Sequence, residues 1–217
     1  MKKRRIIIWF GIAAISLIPF HSHAADKSAA EIITRVQKTV KNLKTLSCNF
    51  GQEHFMKEAE RTRTIKGTIR IKKPHLLRIE YSAQTIVVDG KTVWWYIPRN
   101  RQVTLQAFIE GEDTFPTPYD IFRKYIGDEE TVDSALLEGA TTLNGRASYI
   151  LKLNTGSTKD VTVWIDRELN FPVKSVEERE NGDQITYVLE EVILNKRIKS
   201  DVFKFEVPDG VDVVDMR

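Results

Sequence analysis

The feature that most restricts this chain is a period-two alternation of apolar and polar residues that recurs through most of its length. Ile65, Gly67, Ile69 and Ile71 fall on one side, with Lys66, Thr68, Arg70 and Lys72 on the other. Successive side chains of a strand point to opposite faces, so such a run makes one greasy and one wet surface. Leu77, Ile79 and Tyr81 repeat the pattern, followed by Ile86 and Val88, by Val93, Trp95 and Ile97, and by Val103 and Leu105. It returns at Tyr149, Leu151 and Leu153, at Val161, Val163 and Ile165, at Ile185, Tyr187 and Leu189, and at Phe203, Phe205 and Val207. Asp89-Gly90, Asn144-Gly145, Asn181-Gly182 and Asp209-Gly210 separate these runs, each able to supply the positive φ of a tight turn. The reading is a mainly β chain of about ten antiparallel strands in a single meander. A sheet of that size has to curl, because a flat one exposes its edges, so an incomplete β-barrel is expected.

Two segments depart from the alternation. Ser28 and Glu31 have the spacing of a capping box, and Ile32, Ile33, Val36, Val40 and Leu43 then recur at helical spacing. An amphipathic N-terminal helix is predicted there. Residues 110–139 carry Glu110-Gly111, Pro116 and Pro118, then Tyr119, Ile121, Phe122, Tyr125 and Ile126. This predicts a loop with a short inserted helix, too aromatic to stand alone in water and in need of an apolar bed.

Residues 1–24 read as a cleaved secretory signal. Lys2, Lys3, Arg4 and Arg5 precede an apolar run from Ile6 to Phe20, and Ser22 and Ala24 supply the small residues of a cleavage site. That run falls short of the ~20 residues that span a bilayer as a helix. Residues 25–217 are then expected to form one domain outside the cytoplasm, in the periplasm. Four of the 33 cations lie in the signal, so the remainder carries 29 against 30 anions. The basic balance of the whole chain therefore argues for no nucleic-acid partner. Cys48 is the only cysteine, which excludes an intrachain disulfide, and it is expected to be a buried hydrophobe.

Catalytic constellations are scarce. Beyond the signal only His54 and His75 remain, which leaves little material for imidazole-rich metal sites or a Ser-His-Asp triad. No phosphate loop, dinucleotide fingerprint, Gly-x-Ser-x-Gly elbow or Cys-x-x-Cys occurs. Glu177-Glu178 and Glu190-Glu191 are strand neighbours and point apart, and Asp128-Glu129-Glu130 reads as a solvated run. The expectation is a protein with no catalytic residues, no metal and no cofactor. Trp94 and Trp95, as strand neighbours, place one ring inside and one outside.

The run from Gly67 to Tyr81, the Ile86–Pro98 segment with its Trp94-Trp95 pair, and Gln102-Val-Thr104 together resemble the outer-membrane lipoprotein carrier (LolA) family. Thr45–Gln52, Thr117-Pro118-Tyr119 and Phe203–Val211 are similar to its other landmarks, so the likeness extends over the whole mature chain. It implies an incomplete β-barrel whose N-terminal and inserted helices form a lid over an apolar cavity. It also implies a shuttle: the carrier receives outer-membrane lipoproteins from an inner-membrane ABC releasing complex and delivers them to an outer-membrane receptor. An acyl chain buried at about 0.8 kcal/mol per methylene needs such a cavity to cross water.

On that resemblance Val40 and Leu46 of the first helix, with Tyr119 and Phe122 of the inserted one, are placed at the cavity mouth. Ile69, Leu77 and Ile79 are placed on its sheet side. Lys73 departs from the pattern, in which an arginine before the proline ties the lid shut; lysine lacks the planar fork and bonds as a point donor. Ile79 stands where many relatives carry tryptophan. A monomer is expected. Two rival readings remain open at this stage: a half-barrel sensor that signals through a protein partner, and a carrier of another lipid such as a glycolipid or polyene.

Overall fold

A computed structural model describes residues 28–109, 134–154 and 160–217. Helix α1 (Ala29–Lys41) opens this part of the chain. Its first turn is closed by the predicted capping box: the Ser28 hydroxyl accepts from Glu31 N at 3.3 Å, and the Glu31 carboxylate accepts from Ser28 N at 3.1 Å. Ile32, Val36 and Val40 bury the inner stripe.

Twelve strands follow in one sheet: β1 (Thr45–Met56), β2 (Arg61–Lys72), β3 (Leu76–Tyr81), β4 (Gln84–Asp89), β5 (Thr92–Ile97), β6 (Gln102–Ala107), β7 (Ser134–Leu143), β8 (Arg146–Asn154), β9 (Asp160–Asp166), β10 (Phe171–Glu178), β11 (Gln184–Leu194) and β12 (Asp212–Asp215). Their order across the sheet is β12-β6-β5-β4-β3-β2-β1-β11-β10-β9-β8-β7. Two antiparallel meanders, β1–β6 and β7–β11, are thus sewn together by the long β1–β11 pair. β6 and β7, consecutive in the chain, lie toward opposite ends of the sheet. The sheet curls over α1, which packs against β7 and β10, and this is the expected half-barrel. The Asn144-Gly145 turn has positive φ at both residues, 49° and 76°, the requirement of a two-residue hairpin between twisted strands.

Several boundaries differ from the sequence reading. Leu46 is not on the first helix: α1 ends at Lys41, and Leu46 is the second residue of β1. β7 and β10 are strands that the alternation does not announce. Phe203, Phe205 and Val207 alternate but form no strand; a 3-10 turn (Ser200–Phe203) leads into an extended strap. The terminal strand is β12, which pairs with β6 in parallel, the one departure from an antiparallel sheet among the described residues. The inserted helix, with Tyr119 and Phe122, lies outside the described residues.

The strap crosses the outer face of β3–β6. Directly opposed residues share a face, so Val87, Trp94 and Leu105 point outward together, as do Tyr96 and Val103. Phe203 is 1% exposed above them, and Phe205 stacks on Trp94 with ring centroids 5.7 Å apart. Lys72 Nζ donates to Ser200 Oγ at 2.9 Å, and Arg78 donates to the Val202 and Lys204 carbonyls, both at 3.3 Å.

Candidate functional site

The inner face can be read row by row from the strand register. One row runs Leu46–Ile71–Leu77–Val88–Val93 across β1 to β5. The next runs Cys48–Ile69–Ile79–Ile86–Trp95. Both are apolar throughout, because each strand contributes every second residue and the sequence reserves those positions for apolar side chains. These residues join Ile32, Val36, Val40 and Leu43 of the helical segment, and Leu151, Val163 and Leu189 of the second meander, in a single apolar cluster.

Of the residues singled out in the sequence, Val40, Leu46, Ile69 and Ile79 are buried and Leu77 is half-buried, and all five belong to this cluster. Tyr119 and Phe122 lie outside the described residues. Lys73, in the β2–β3 turn, sends its Nζ to the Val40 carbonyl in the last turn of α1, at 3.0 Å. Two positions named for separate reasons are therefore joined: a cation meets the negative end of the helix over the inner face. Lys73 N also donates to the Lys44 carbonyl at 2.8 Å, so the turn and the helix exit are fixed together.

Cys48 sits within the second row, and burial pushes its thiol up to about 12, which leaves it a neutral hydrophobe. Trp95 turns inward and donates from Nε1 to Gln84 Oε1 at 2.8 Å. Trp94 turns outward beneath Phe205 and donates to Asp89 at 2.9 Å, so the outward ring is covered by the strap.

A third row, Leu189–Phe50–Gly67–Tyr81, is more aromatic. Gly67 is required there: a Cβ would stand 2.2 Å from the Glu80 carbonyl oxygen and 2.8 Å from the Phe50 ring. The missing side chain lets Phe50 and Tyr81 meet edge to face across β2, with centroids 6.3 Å apart. Beyond this collar polar residues enter the face beside Ile65 and Ile185. Gln52 opposes Tyr187 on one side and Ile65 on the other, and His54 opposes Ile185 and Arg63. Sequence reasoning treats His54 only as scarce catalytic material and misses this strip; the available signal is the loss of aliphatic residues from the inward positions after Phe50.

At the edge of the second meander the β7–β8 turn comes over β11, with Asn144 Nδ2 3.5 Å from Glu190 Oε1. A cavity of about 350 Å³ remains there, floored by Leu143, Leu169, Val173, Leu189 and Val192. Its volume is at the lower end of the range for small-molecule pockets. Arg146 is fixed at its margin by Asp166, whose carboxylate also accepts from the Glu168 and Leu169 amides at 2.9 Å each. Burial alone raises the Asp166 pKa, but these hydrogen bonds outweigh it and hold the carboxyl below its ordinary value. Among the described residues no three His, Cys, Asp or Glu side chains come together as a metal site.

This arrangement presents a continuous apolar face, with no assembled nucleophile or acid–base pair among the described residues. The outer-membrane lipoprotein carrier proteins of Hahella chejuensis and of Haemophilus influenzae strain PittEE are 26% and 27% identical. The first alignment covers 97% of this chain and 98% of the relative; the second covers 94% and 95%. An uncharacterized conserved protein from Thermus thermophilus superposes with a TM-score of 0.55 at 16% identity, over 87% of this chain and 99% of that one. Mycobacterium tuberculosis lipoprotein LppX gives 0.51 at 10% identity, over 80% and 100%; these two likenesses concern the fold alone. The family described as "Outer membrane lipoprotein carrier protein LolA" matches residues 41–206, nearly all of the sheet and the helix exit, and the chain belongs to that family.

Proposed function

We propose that this protein is a periplasmic carrier that shelters the acyl chains of outer-membrane lipoproteins against the inner face of its half-barrel. It takes them from an inner-membrane ABC releasing complex and gives them to an outer-membrane receptor. Residues 1–24 serve as the export signal, and residues 25–217 act as one carrier domain. The reading is supported chiefly by the two apolar rows of β1 to β5, a continuous greasy face that shares one cluster with the buried stripe of the amphipathic helix α1. Family membership supports the class of cargo.

The roof explains how such a surface stays out of water without cargo. The apolar stripe of α1 covers the rows when they are empty and is displaced when acyl chains take its place. Lys73 gates this exchange through its hydrogen bond to Val40, and Tyr119 and Phe122 add to the lid. A charge-assisted bond at a largely exposed lysine is worth a few kcal/mol at most, weak enough to break on loading. The protein carries out no chemistry on its cargo.

A photocrosslinking residue in place of Ile79, in growing cells, tests this. Adducts with acylated lipoproteins are expected. Adducts restricted to free lipids would support a carrier of another lipid, and an absence of any adduct would contradict an occupied cavity.

A further inference from the structure

The inner face carries a polarity gradient along the strands. At one end, beside the β2–β3 turn and the exit of α1, Leu43 is 2%, Leu46 0% and Val93 1% exposed, with Ile71 and Leu77 half-buried beside them, so that end is aliphatic and mostly buried. The aromatic collar of Phe50 and Tyr81 comes next. Toward the other end polar side chains enter the inward rows: Gln52 between Ile65 and Tyr187, and Arg63, His54 and Glu177 in the row that also holds the buried Ile185, with the arginine exposed and Gln52, His54 and Tyr187 half-buried.

This polar strip is under-used by the protein itself. His54 Nε2 is shielded from solvent and lies 3.5 Å from Asp183 Oδ2, without a well-aligned hydrogen bond. Arg63 stands directly opposite His54 across the β1–β2 pair, near enough to Tyr81 for its charge to act on that phenol. Burial, reinforced by Glu177, raises the Tyr187 hydroxyl to about 12, so it remains a proton donor at neutral pH. Four donors of different length thus stand at this end of the aliphatic rows, with the Glu177 carboxylate beside them.

We propose that this strip is the subsite for the carbonyl-rich polar end of the cargo anchor, the ester and amide groups that join acyl chains to a glyceryl or peptide head. This deepens the carrier reading and rests on it. The anchor then lies in one direction only: methyl ends against Leu46 and Leu77 at the aliphatic end, ester and amide oxygens against Arg63, His54, Gln52 and Tyr187. The reverse direction would place carbonyls among aliphatic side chains with no donor, leaving each oxygen desolvated and unpaired. The peptide part of the cargo leaves the trough beside the β1–β2 and β10–β11 turns.

The test uses the purified protein with a synthetic triacylated lipopeptide, carrying a diazirine either at the acyl terminus or in the first peptide residue. Adducts from the acyl-terminal probe are expected around Leu46 and Leu77, and adducts from the peptide probe around His54 and Arg63. Arg63→Leu should weaken lipopeptide binding about tenfold, the loss of one charge-assisted hydrogen bond. Interchanged or scattered adducts from a bound lipopeptide would overturn the subsite while leaving the carrier intact. Failure of the unsubstituted protein to bind the lipopeptide at all would overturn both. Phosphatidylglycerol shares the esters but adds a phosphate; if Arg63→Leu weakens only that lipid, the strip reads phosphate and the proposal is wrong.

Discussion

Each face of the sheet carries a covering segment from elsewhere in the chain, yet the two covers are attached in different ways. On the inner side, α1 packs against β7 and β10 and joins the apolar rows in one cluster through Ile32, Val36 and Val40, with a side-chain tie from Lys73 to its last turn. Over the outer face, the strap is clipped by Lys72 and Arg78 and locked by the Phe205 ring against Trp94 and Tyr96. It then continues as β12, with Met216 N donating to the Leu105 carbonyl at 2.9 Å. Apolar contact is non-directional and tolerates replacement of one hydrocarbon by another, whereas a set of aimed hydrogen bonds does not. On the proposed function the inner cover exchanges with acyl chains, whereas the outer cover is a fixed part of the fold.

That contrast can be broken most forcefully at Phe203. Phe203→Ala should lower unfolding stability by about 3–5 kcal/mol in urea titrations, equally with and without an acylated lipopeptide. A loss that cargo restores would mean that the strap, too, is an exchangeable cover. Next in size is Gly67→Ala, which forces a methyl group toward the Glu80 carbonyl and the Phe50 ring. It should cost about 1–3 kcal/mol by overpacking and disturb the collar, seen as a changed near-ultraviolet circular dichroism signal. A full-stability variant with an unchanged signal would show that the third row is loosely packed.

Asp166 sharpens the comparison at the margin of the second meander. Its folded pKa lies below the unfolded value, so its contribution is present above the unfolded pKa near 4 and disappears as pH falls through the folded one. Asp166→Asn should cost about 1–3 kcal/mol at pH 7 and flatten the acid limb of stability against pH. An unaltered acid limb would assign the pH dependence to other carboxylates. The smallest effect is expected at Lys73. Lys73→Leu should change stability by about 1 kcal/mol or less while altering the rate of cargo transfer, and Lys73→Arg should keep the tie. Equal transfer rates for Lys73→Leu and the parent would remove the gate.

The first meander is plain in the sequence and the second only in part, for a physical reason. β2 to β5 keep apolar and polar residues largely in turn because one side meets α1 and the other meets water or the strap. In β10, Phe171, Pro172 and Val173 are all buried, so the alternation vanishes where the strand begins. β7 carries a bulge between Leu137 and Gly139 that breaks its period. The strap misleads in the opposite direction: Phe203 and Phe205 alternate because one side lies on the sheet, although the segment pairs with no strand. β12 has too few residues for a pattern and owes its place to β6, more than a hundred positions earlier in the chain.

The candidate site is legible to a similar degree. Ile69, Leu77 and Ile79 can be placed on one face by spacing alone, and the β2–β3 register puts them there. Leu46 cannot be assigned to its element, because the three residues between α1 and β1 carry neither period. The partnership of Lys73 with Val40 spans 33 positions and is a product of the curled sheet, which no local pattern encodes. The polar strip is invisible for the same reason, since its members become neighbours only through the β1–β2 and β1–β11 registers.

The central claim is that α1 is a displaceable roof and the strap is not. Spin labels at Lys38→Cys and Glu53→Cys report on the roof, and labels at Lys199→Cys and Glu53→Cys report on the strap, both in a Cys48→Ala background. Pulsed electron paramagnetic resonance distances should shift and broaden for the first pair when a triacylated lipopeptide is bound, and stay fixed for the second. An unchanged roof distance at saturating lipopeptide would contradict the account.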